Sequence, residues 1–303
     1  MAPAPAAPPD PDRPSAERAP GRRSRRWLLR LGLLGPGLAW WAIFLALPLL
    51  LVIATSFLER GDYGGIVPSF TLDNYVRAFD PLYLRVLWFS IRVSLLTTTI
   101  ALLVGYPLAN FISTRTPRWR LVLLVLVVLP FWTNFLIRTY AWMVLLNSQG
   151  PINRLLMGTG VVDAPVSLLN NEFAIVVGLT YAYLPLMVLP IYASLERLDD
   201  RLLEASDDLG ASRRQTFLGV TLPLTLPGIV AGALFVFVPS FGNYIVPQLL
   251  GGGRRAMIGN LVEQQFLSAR DWPFGSVLAL AVMGVMVVLL VLQGTVLARE
   301  KRR

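Results

Sequence analysis

The chain has 303 residues, of which 55% are hydrophobic and only 15% are charged, whereas soluble domains carry about 25% charged residues. This composition predicts a membrane protein. Arginine and lysine together number 27 against 18 acidic residues, and Lys301 is the only lysine. No glycine-rich loop precedes it, which excludes a Walker A nucleotide site. The sequence has no Cys and no His, which excludes thiol catalysis, histidine bases and Cys/His metal sites.

Six apolar runs are each long enough to cross a hydrocarbon core about 30 Å thick. They occupy 36–58, 86–112, 121–146, 173–194, 222–250 and 275–297. We therefore predict an all-α integral membrane bundle of six transmembrane helices. The alternative, one large α-helical protein with a buried core, would need helices with charged faces, which these runs lack.

The distribution of basic residues predicts the orientation of the bundle. The first segment, the second and fourth loops and the C-terminal tail hold 18 Arg or Lys residues, and the other three loops hold seven. By the positive-inside rule both termini are cytoplasmic. Arg92 and Arg138 fall within predicted spans. We expect them to snorkel outward, to bond carbonyls freed by prolines, or to pair with outer carboxylates such as Asp73 or Asp163.

The spans also set the predicted domain boundaries. Residues 1–26 are rich in Ala, Pro and Arg and are expected to be a disordered cytoplasmic tail. Residues 27–85 hold the first transmembrane helix and an external loop, 86–298 hold the remaining bundle, and 299–303 form a basic cytoplasmic tail. Residues 24–28 faintly resemble a twin-arginine export signal. The apolar run that follows is longer than a signal core, which favours a retained span without cleavage.

Several prolines lie inside the apolar runs, where each removes a backbone hydrogen bond and kinks the helix. They are Pro130, Pro185, Pro190, Pro227, Pro239 and Pro247. Two runs share the order Pro, aromatic, Asn at identical spacing, at 130–134 and 239–243, and with three matched positions we attribute this to chance. No Asp or Glu lies in any run. Ion-coupled carriers usually place carboxylates there, so a separate energy-supplying subunit is favoured.

The fourth loop, 195–221, has the pattern of an amphipathic cytoplasmic helix. Its apolar residues recur at helical spacing: Leu195, Leu198, Leu202, Ala205 and Leu209. Gly210 is expected to end this helix, and Ser212 with Gln215 to start a second one through a capping box. The loop could lie on the lipid surface, but its excess of acidic residues favours docking into a protein groove.

This loop carries a family resemblance. The stretch from Glu204 to Pro223 resembles the EAA loop of permease subunits of binding-protein-dependent ABC importers: E-A-A, three residues, G, nine residues, I, one residue, L-P. The matching positions are Glu204, Ala205, Gly210, Leu222 and Pro223. Ser206 and Val220 replace the second alanine and the isoleucine. The resemblance implies a type I ABC importer permease fold, with an ATPase contacting this loop, including Arg213, and 86–298 as the permease domain.

Residues 70–275 further resemble the permeases of spermidine/putrescine importers, through segments such as 130–140, 202–217 and 265–275. The resemblance implies a transport subunit rather than an enzyme, in a bacterial inner or cell membrane. It implies as partners a paralogous second permease, two ABC ATPase subunits that bind the ATP and Mg, and an extracytoplasmic solute-binding protein. This chain itself needs no cofactor, contacts membrane lipid and is expected to bind no nucleic acid. A related importer for another small solute, an ion-coupled carrier or channel, and a membrane scaffold remain as alternatives.

A polycation crossing without intramembrane carboxylates must be stabilised by aromatic faces, amides and carbonyl oxygens. Trp132 is the first candidate, because it lies 13 residues beyond Trp119 and therefore near mid-membrane. The other candidates for the substrate path are Asn134, Arg138, Tyr140, Tyr181, Tyr183, Asn243 and Tyr244. Each could equally fill a contact between helices.

Overall fold

The computed structural model describes residues 35–253 and 255–300, with side chains as far as Thr295. The tail predicted for 1–26 and residues 301–303 lie outside the described residues. The described chain divides into two compact units between Leu51 and Val52.

The first unit contains most of helix α1, Gly35–Ser56, which is long and apolar enough to span a membrane. It includes one π-helical turn, Ala42–Ala46.

The second unit begins, after the last turn of α1, with a two-stranded antiparallel hairpin. Its strands are β1 (Leu58–Arg60) and β2 (Ile66–Phe70), and the short helix α2 (Asp73–Ala78) follows. The remaining helices are α3 (Pro81–Ser113), α4 (Pro117–Trp132), α5 (Phe135–Leu146), α6 (Pro151–Gly158), α7 (Glu172–Leu195), α8 (Asp200–Asp208), α9 (Arg213–Thr216), α10 (Leu222–Phe241), α11 (Ile245–Leu250), α12 (Ile258–Leu267) and α13 (Trp272–Glu300).

The described helices supply the six predicted spans, but one of them is broken. Helices α1, α3, α7, α13 and the segment Arg213–Phe241 each satisfy the length and hydropathy of a span. The sixth is the pair Pro117–Trp132 and Phe135–Gly158, which is bent by 92°. The kinks predicted at Pro130 and Pro239 are therefore full breaks, since α4 stops at Trp132 and α10 stops at Phe241, so the runs 121–146 and 222–250 are not single helices.

Three long helices, α3, α7 and α10, pack against each other to form the core of the second unit. Apart from Val93 and Ile112, the buried residues of α3 are small: Ser90, Ser94, Thr97, Ala101, Gly105 and Ala109. Small residues allow close approach of helix backbones where hydrocarbon supplies no hydrophobic drive for association. Prolines 185 and 190 lie inside α7 without ending it.

Helix α2, which follows the hairpin, is attached to the bundle by an ion pair whose carboxylate is buried. Arg77 Nη1 lies 2.8 Å from Oδ2 of Asp271, which is 1% exposed. The guanidinium also lies 4.0 Å from the centre of the Phe274 ring. Burial lowers the pKa of Arg77, but hydrogen bonds to Asp271 and Tyr83 outweigh it and raise the pKa above its ordinary value. We call this side of the second unit the hairpin end, and the side that carries 196–221 the loop end.

Gly228 on α10 tests the close packing of the core. A Cβ at Gly228 would lie 2.5 Å from the carbonyl oxygen of Pro190 on α7, whereas a Cβ at Gly219 would meet nothing within 4 Å. We expect Gly228→Ala to lower the free energy of unfolding by about 1–3 kcal/mol through overpacking and Gly219→Ala to change it little. Thermal melting in detergent measures both, and equal melting temperatures for the two variants would contradict the close packing.

Candidate functional site

The loop end projects a short helix from the bundle. Helix α8 begins where Asp199 Oδ1 accepts the N–H of Arg201 at 3.0 Å, and it stops before Gly210, whose φ is +75°. Leu202 is 47% exposed and Leu209 88% exposed. The glycine stop is confirmed, but the helix is shorter than predicted, since it begins at Asp200, Leu195 is a buried residue of α7 and Leu198 precedes α8. The part of the apolar face that lies on and just after α8 is uncovered. Such a face fits a hydrophobic groove on another protein.

A second, four-residue helix joins α8 to the bundle. The capping box predicted for Ser212 and Gln215 is confirmed: the Ser212 N–H donates to Gln215 Oε1 at 2.8 Å. Hydroxyl groups of Ser206 and Thr216 lie 2.9 Å apart and tie α8 to α9. From α9 the chain continues through a π-helical turn, Phe217–Thr221, directly into α10. The loop is therefore built as one piece with a transmembrane helix.

Tyr106 of α3 connects this junction to the neighbouring helix. Its ring meets Phe217 edge-on, with centroids 5.6 Å apart, and its hydroxyl lies 3.1 Å from Thr225 Oγ1 of α10. The sequence pattern gave no sign of this contact, because the partners lie more than 100 residues apart. A displacement of α8 would reach both α10 and α3 through it.

The residues that match the EAA loop pattern lie in two parts of the structure. Glu204 and Ala205 are exposed on α8, and Arg213 is exposed on α9. Leu222 and Pro223 instead open α10, where a proline in the first turn removes no hydrogen bond that a helix beginning there would make. A 450 Å³ cleft separates α8 from the ends of α3 and α7; Arg120, Glu196 and Asp200 are among its polar walls.

The first helix break lies between α4 and α5. Asn134 Oδ1 accepts the N–H groups of Leu136 and Ile137 at 2.8 and 3.4 Å and so starts α5. Arg138 Nη1 donates to the Pro130 carbonyl at 3.0 Å. Of the three roles expected for Arg138, the structure supports the bond to a carbonyl, and this arginine is buried. It satisfies an acceptor that the break leaves at the end of α4.

The second break, between α10 and α11, has the same construction. Asn243 Oδ1 accepts the N–H of Val246 at 2.9 Å, four residues after Pro239 as Asn134 is four after Pro130. The Asn243 amide also donates to the Tyr183 hydroxyl at 2.8 Å, and that hydroxyl lies 3.5 Å from the Pro239 carbonyl. The repeated Pro, aromatic, Asn order, attributed above to chance, thus marks a helix break at both places.

Helix α7 joins the two breaks through one side chain. The Tyr183 ring stacks at 6.5 Å on Phe135, which opens α5, while its hydroxyl holds Asn243. Helices α5 and α11 also contact each other. Tyr183 and Asn243 therefore bond to each other inside the bundle, and Arg138 is buried there with one bond, to Pro130, while its Nε has no partner among the described residues.

The other path candidates are exposed on the second unit. Trp132 is 80% exposed, beside an apolar hollow of 190 Å³ lined by aliphatic residues of α4. Tyr140, Tyr181 and Tyr244 are 50%, 37% and 42% exposed, and Asn134 is exposed as well. Tyr181 meets Trp142 edge-on at 5.4 Å, an aromatic neighbour that the sequence did not single out.

The sequence also did not predict a cluster of charged side chains at the hairpin end. Glu172 Oε2 lies 2.5 Å from Arg92 Nη2 and 3.4 Å from Arg255 Nη1. Arg92 does pair with a carboxylate, but the partner is Glu172 and neither Asp73 nor Asp163. The described residues include no cluster of three or more Asp or Glu side chains placed to hold a metal ion.

The chain matches, over residues 19–302, the family described as the binding-protein-dependent transport system inner membrane component. It belongs to this family. It is therefore a membrane component of a transport system rather than an enzyme, and its partners include a binding protein.

Two relatives and one solved structure illustrate the match. The chain is 45% identical over 252 residues to the spermidine/putrescine transport system permease protein PotB of Haemophilus influenzae, covering 83% of this chain and 88% of the relative. It is 45% identical over 250 residues to PotB of Escherichia coli K12, covering 82% and 91%. The fold is similar to a chain of a bacterial ABC transporter for alginate import, with TM-score 0.71 and 20% identity over 91% and 96% of the two chains.

Tyr183 and Asn243 provide a test of the second break. We expect Tyr183→Phe to lower the free energy of unfolding by about 1 kcal/mol, and Asn243→Ala by about 2 kcal/mol because the cap on Val246 is lost as well. Tyr181→Phe is the control, since its hydroxyl bonds to no residue that the structure describes. If Asn243→Ala melted at the wild-type temperature in detergent, the hydrogen bonds of the Asn243 side chain would not stabilise the protein.

Proposed function

We propose that this chain is the permease subunit of an ATP-driven importer for polyamines such as spermidine and putrescine. The observation that carries the proposal is its 45% identity, over more than four-fifths of both chains, to permeases named for those solutes. The charge of such a solute agrees with a path built from aromatic rings and amides rather than from arginines. A related importer for another small solute is the second candidate.

The partners of this proposal are a paralogous second permease, two ATPase subunits that bind ATP and Mg, and the extracytoplasmic binding protein. The excess of basic residues in the segments at the loop end supports a cytoplasmic location for that end and for both termini. The hairpin end is then external. Helix α8 and its exposed Leu202 and Leu209 face the ATPase in this arrangement.

The break at 133–134 supports a path on the exposed side of α4 and α5. Sixteen residues of α4 rise about 24 Å, so a helix that starts at the cytoplasmic interface breaks within a core about 30 Å thick. Irregular backbone at that depth is tolerated against protein or a water-filled cavity but not against lipid. Asn134 is exposed in this chain alone, so the second permease or the solute path must cover it.

Trp132 tests the stabilisation of a cationic solute beside this break. Cation–π contacts contribute about 0.5–2 kcal/mol each, so we expect Trp132→Ala to reduce uptake of labelled spermidine or putrescine about 2- to 30-fold and Trp132→Phe to reduce it less. Uptake is compared at matched membrane abundance. Equal loss in both variants, or none, would exclude the aromatic face from the path.

Gly210 tests the coupling role of the loop. Its φ of +75° costs a residue with a side chain about 1 kcal/mol or more, and a glutamate there also adds charge at the expected contact with the ATPase. We expect Gly210→Glu to abolish uptake while the chain still inserts and the ATPase still hydrolyses ATP. Normal uptake by this variant at normal expression would contradict the coupling role.

A further inference from the structure

The hairpin end contains a basic pocket. It has a volume of about 750 Å³, within the range of ligand sites. Its polar walls are the guanidinium groups of Arg85 and Arg255 and the amide of Asn170, and its apolar walls include Val86 and Phe89. Asn170 holds a left-handed backbone with φ of +63°, a strained conformation that residues at ligand-binding sites adopt more often than others.

The charge around this pocket is unbalanced. Arg92 and Arg255 share one carboxylate, Glu172, and both guanidinium groups lie within 6 Å of the Phe89 ring centre, at 5.7 and 5.9 Å. Arg85 bonds only to the carbonyl of Pro81, at 3.2 Å, and forms no ion pair with any residue that the structure describes. Two arginines thus share one carboxylate, a third has no ion pair among the described residues, and all three are half-exposed or exposed.

The pocket lies at the N-terminal end of α3, a helix that is longer than the hydrocarbon core is thick. The 33 residues of α3 extend about 50 Å, whereas the core is about 30 Å thick, and the pocket uses only positions within the first nine residues. Trp88 of α3 is 66% exposed. Viewed along the helix axis, it lies about 110° from the mean direction of the α3 residues that line the pocket. If Trp88 marks the interfacial belt of the membrane, the pocket opens away from the lipid.

The excess of positive charge at the pocket disfavours the proposed solute, because a polyamine is itself a cation. Carboxylate side chains on the surface of a docking protein would complement this charge. We propose that the pocket lined by Arg85 and Arg255 receives carboxylate side chains of the extracytoplasmic binding protein and so fixes its docking position. This inference rests on the proposed function.

The test uses the complete importer in lipid nanodiscs, titrated with its own spermidine-loaded binding protein. We expect Arg85→Glu to raise the binding-protein concentration that gives half-maximal ATPase stimulation about tenfold and to weaken its dependence on salt. Arg85→Lys should fall between the variant and the wild type. Arg154→Glu is the matched control: it places the same change of charge on the exposed face of α6, away from the pocket, and should leave stimulation unchanged.

Three results would each overturn the inference while leaving the proposed function intact. The first is a wild-type half-maximal concentration in both Arg85→Glu and the double variant Arg85→Glu/Arg255→Glu, and the second is an equal shift in Arg154→Glu. The third is a shift that vanishes in nanodiscs without anionic lipid, because this would assign the pocket to lipid headgroups. If the wild-type ATPase gave no response to any binding protein, the proposed function itself would fail.

Discussion

A helix that breaks inside hydrocarbon must find partners for the backbone groups that the break exposes, and this requirement organises the centre of the bundle. Each break follows a proline and is closed by an asparagine whose side chain takes over the first N–H groups of the next helix. The carbonyl groups left behind bond to a buried arginine at one break and face a tyrosine at the other. Polar residues that would be costly in an apolar core are therefore necessary here.

Helix α7 contacts the arginines at the hairpin end, both helix breaks and the helix that follows the loop. Its first residue, Glu172, pairs with arginines at the hairpin end, and Tyr183 bridges the breaks in its middle. Near its last turns the carbonyl of Pro190 is approached closely by Gly228 of α10, the helix that continues from the loop. Through this one helix, the charges at the hairpin end, the two breaks and the loop end are connected by direct contacts.

The fold class and the loop could be predicted because their signals are local. A run of 20 apolar residues needs no knowledge of its neighbours, and Gly210, Ser212 and Gln215 lie within five residues of one another. The kink at Pro130 was predicted from the proline itself, whereas the size of the bend, 92°, was not, because it depends on the contacts that Asn134 and Arg138 make after the break.

The charged contacts could not be predicted for a different reason. Arg92 meets Glu172 across 80 residues, and Arg77 meets Asp271 across 194. Sequence spacing carries no information about such pairs, and the outer loops offered several equivalent carboxylates. Arg138, Tyr183 and Asn243 were singled out as candidates for the substrate path, which stays a prediction, and the partners that they bond depend on how the helices pack.

The π-helical turn at 217–221 fixes more than a connection. A π turn holds one residue more than an α turn, and each residue of a helix corresponds to about 100° of rotation. The extra residue in the π turn therefore rotates α10 about its axis relative to α8. This rotation determines which side of α10 faces α7. Deleting one residue there would turn Gly228 away from Pro190, while composition and hydropathy would stay almost unchanged. The rotation of the loop relative to the bundle therefore depends on the number of residues in this turn.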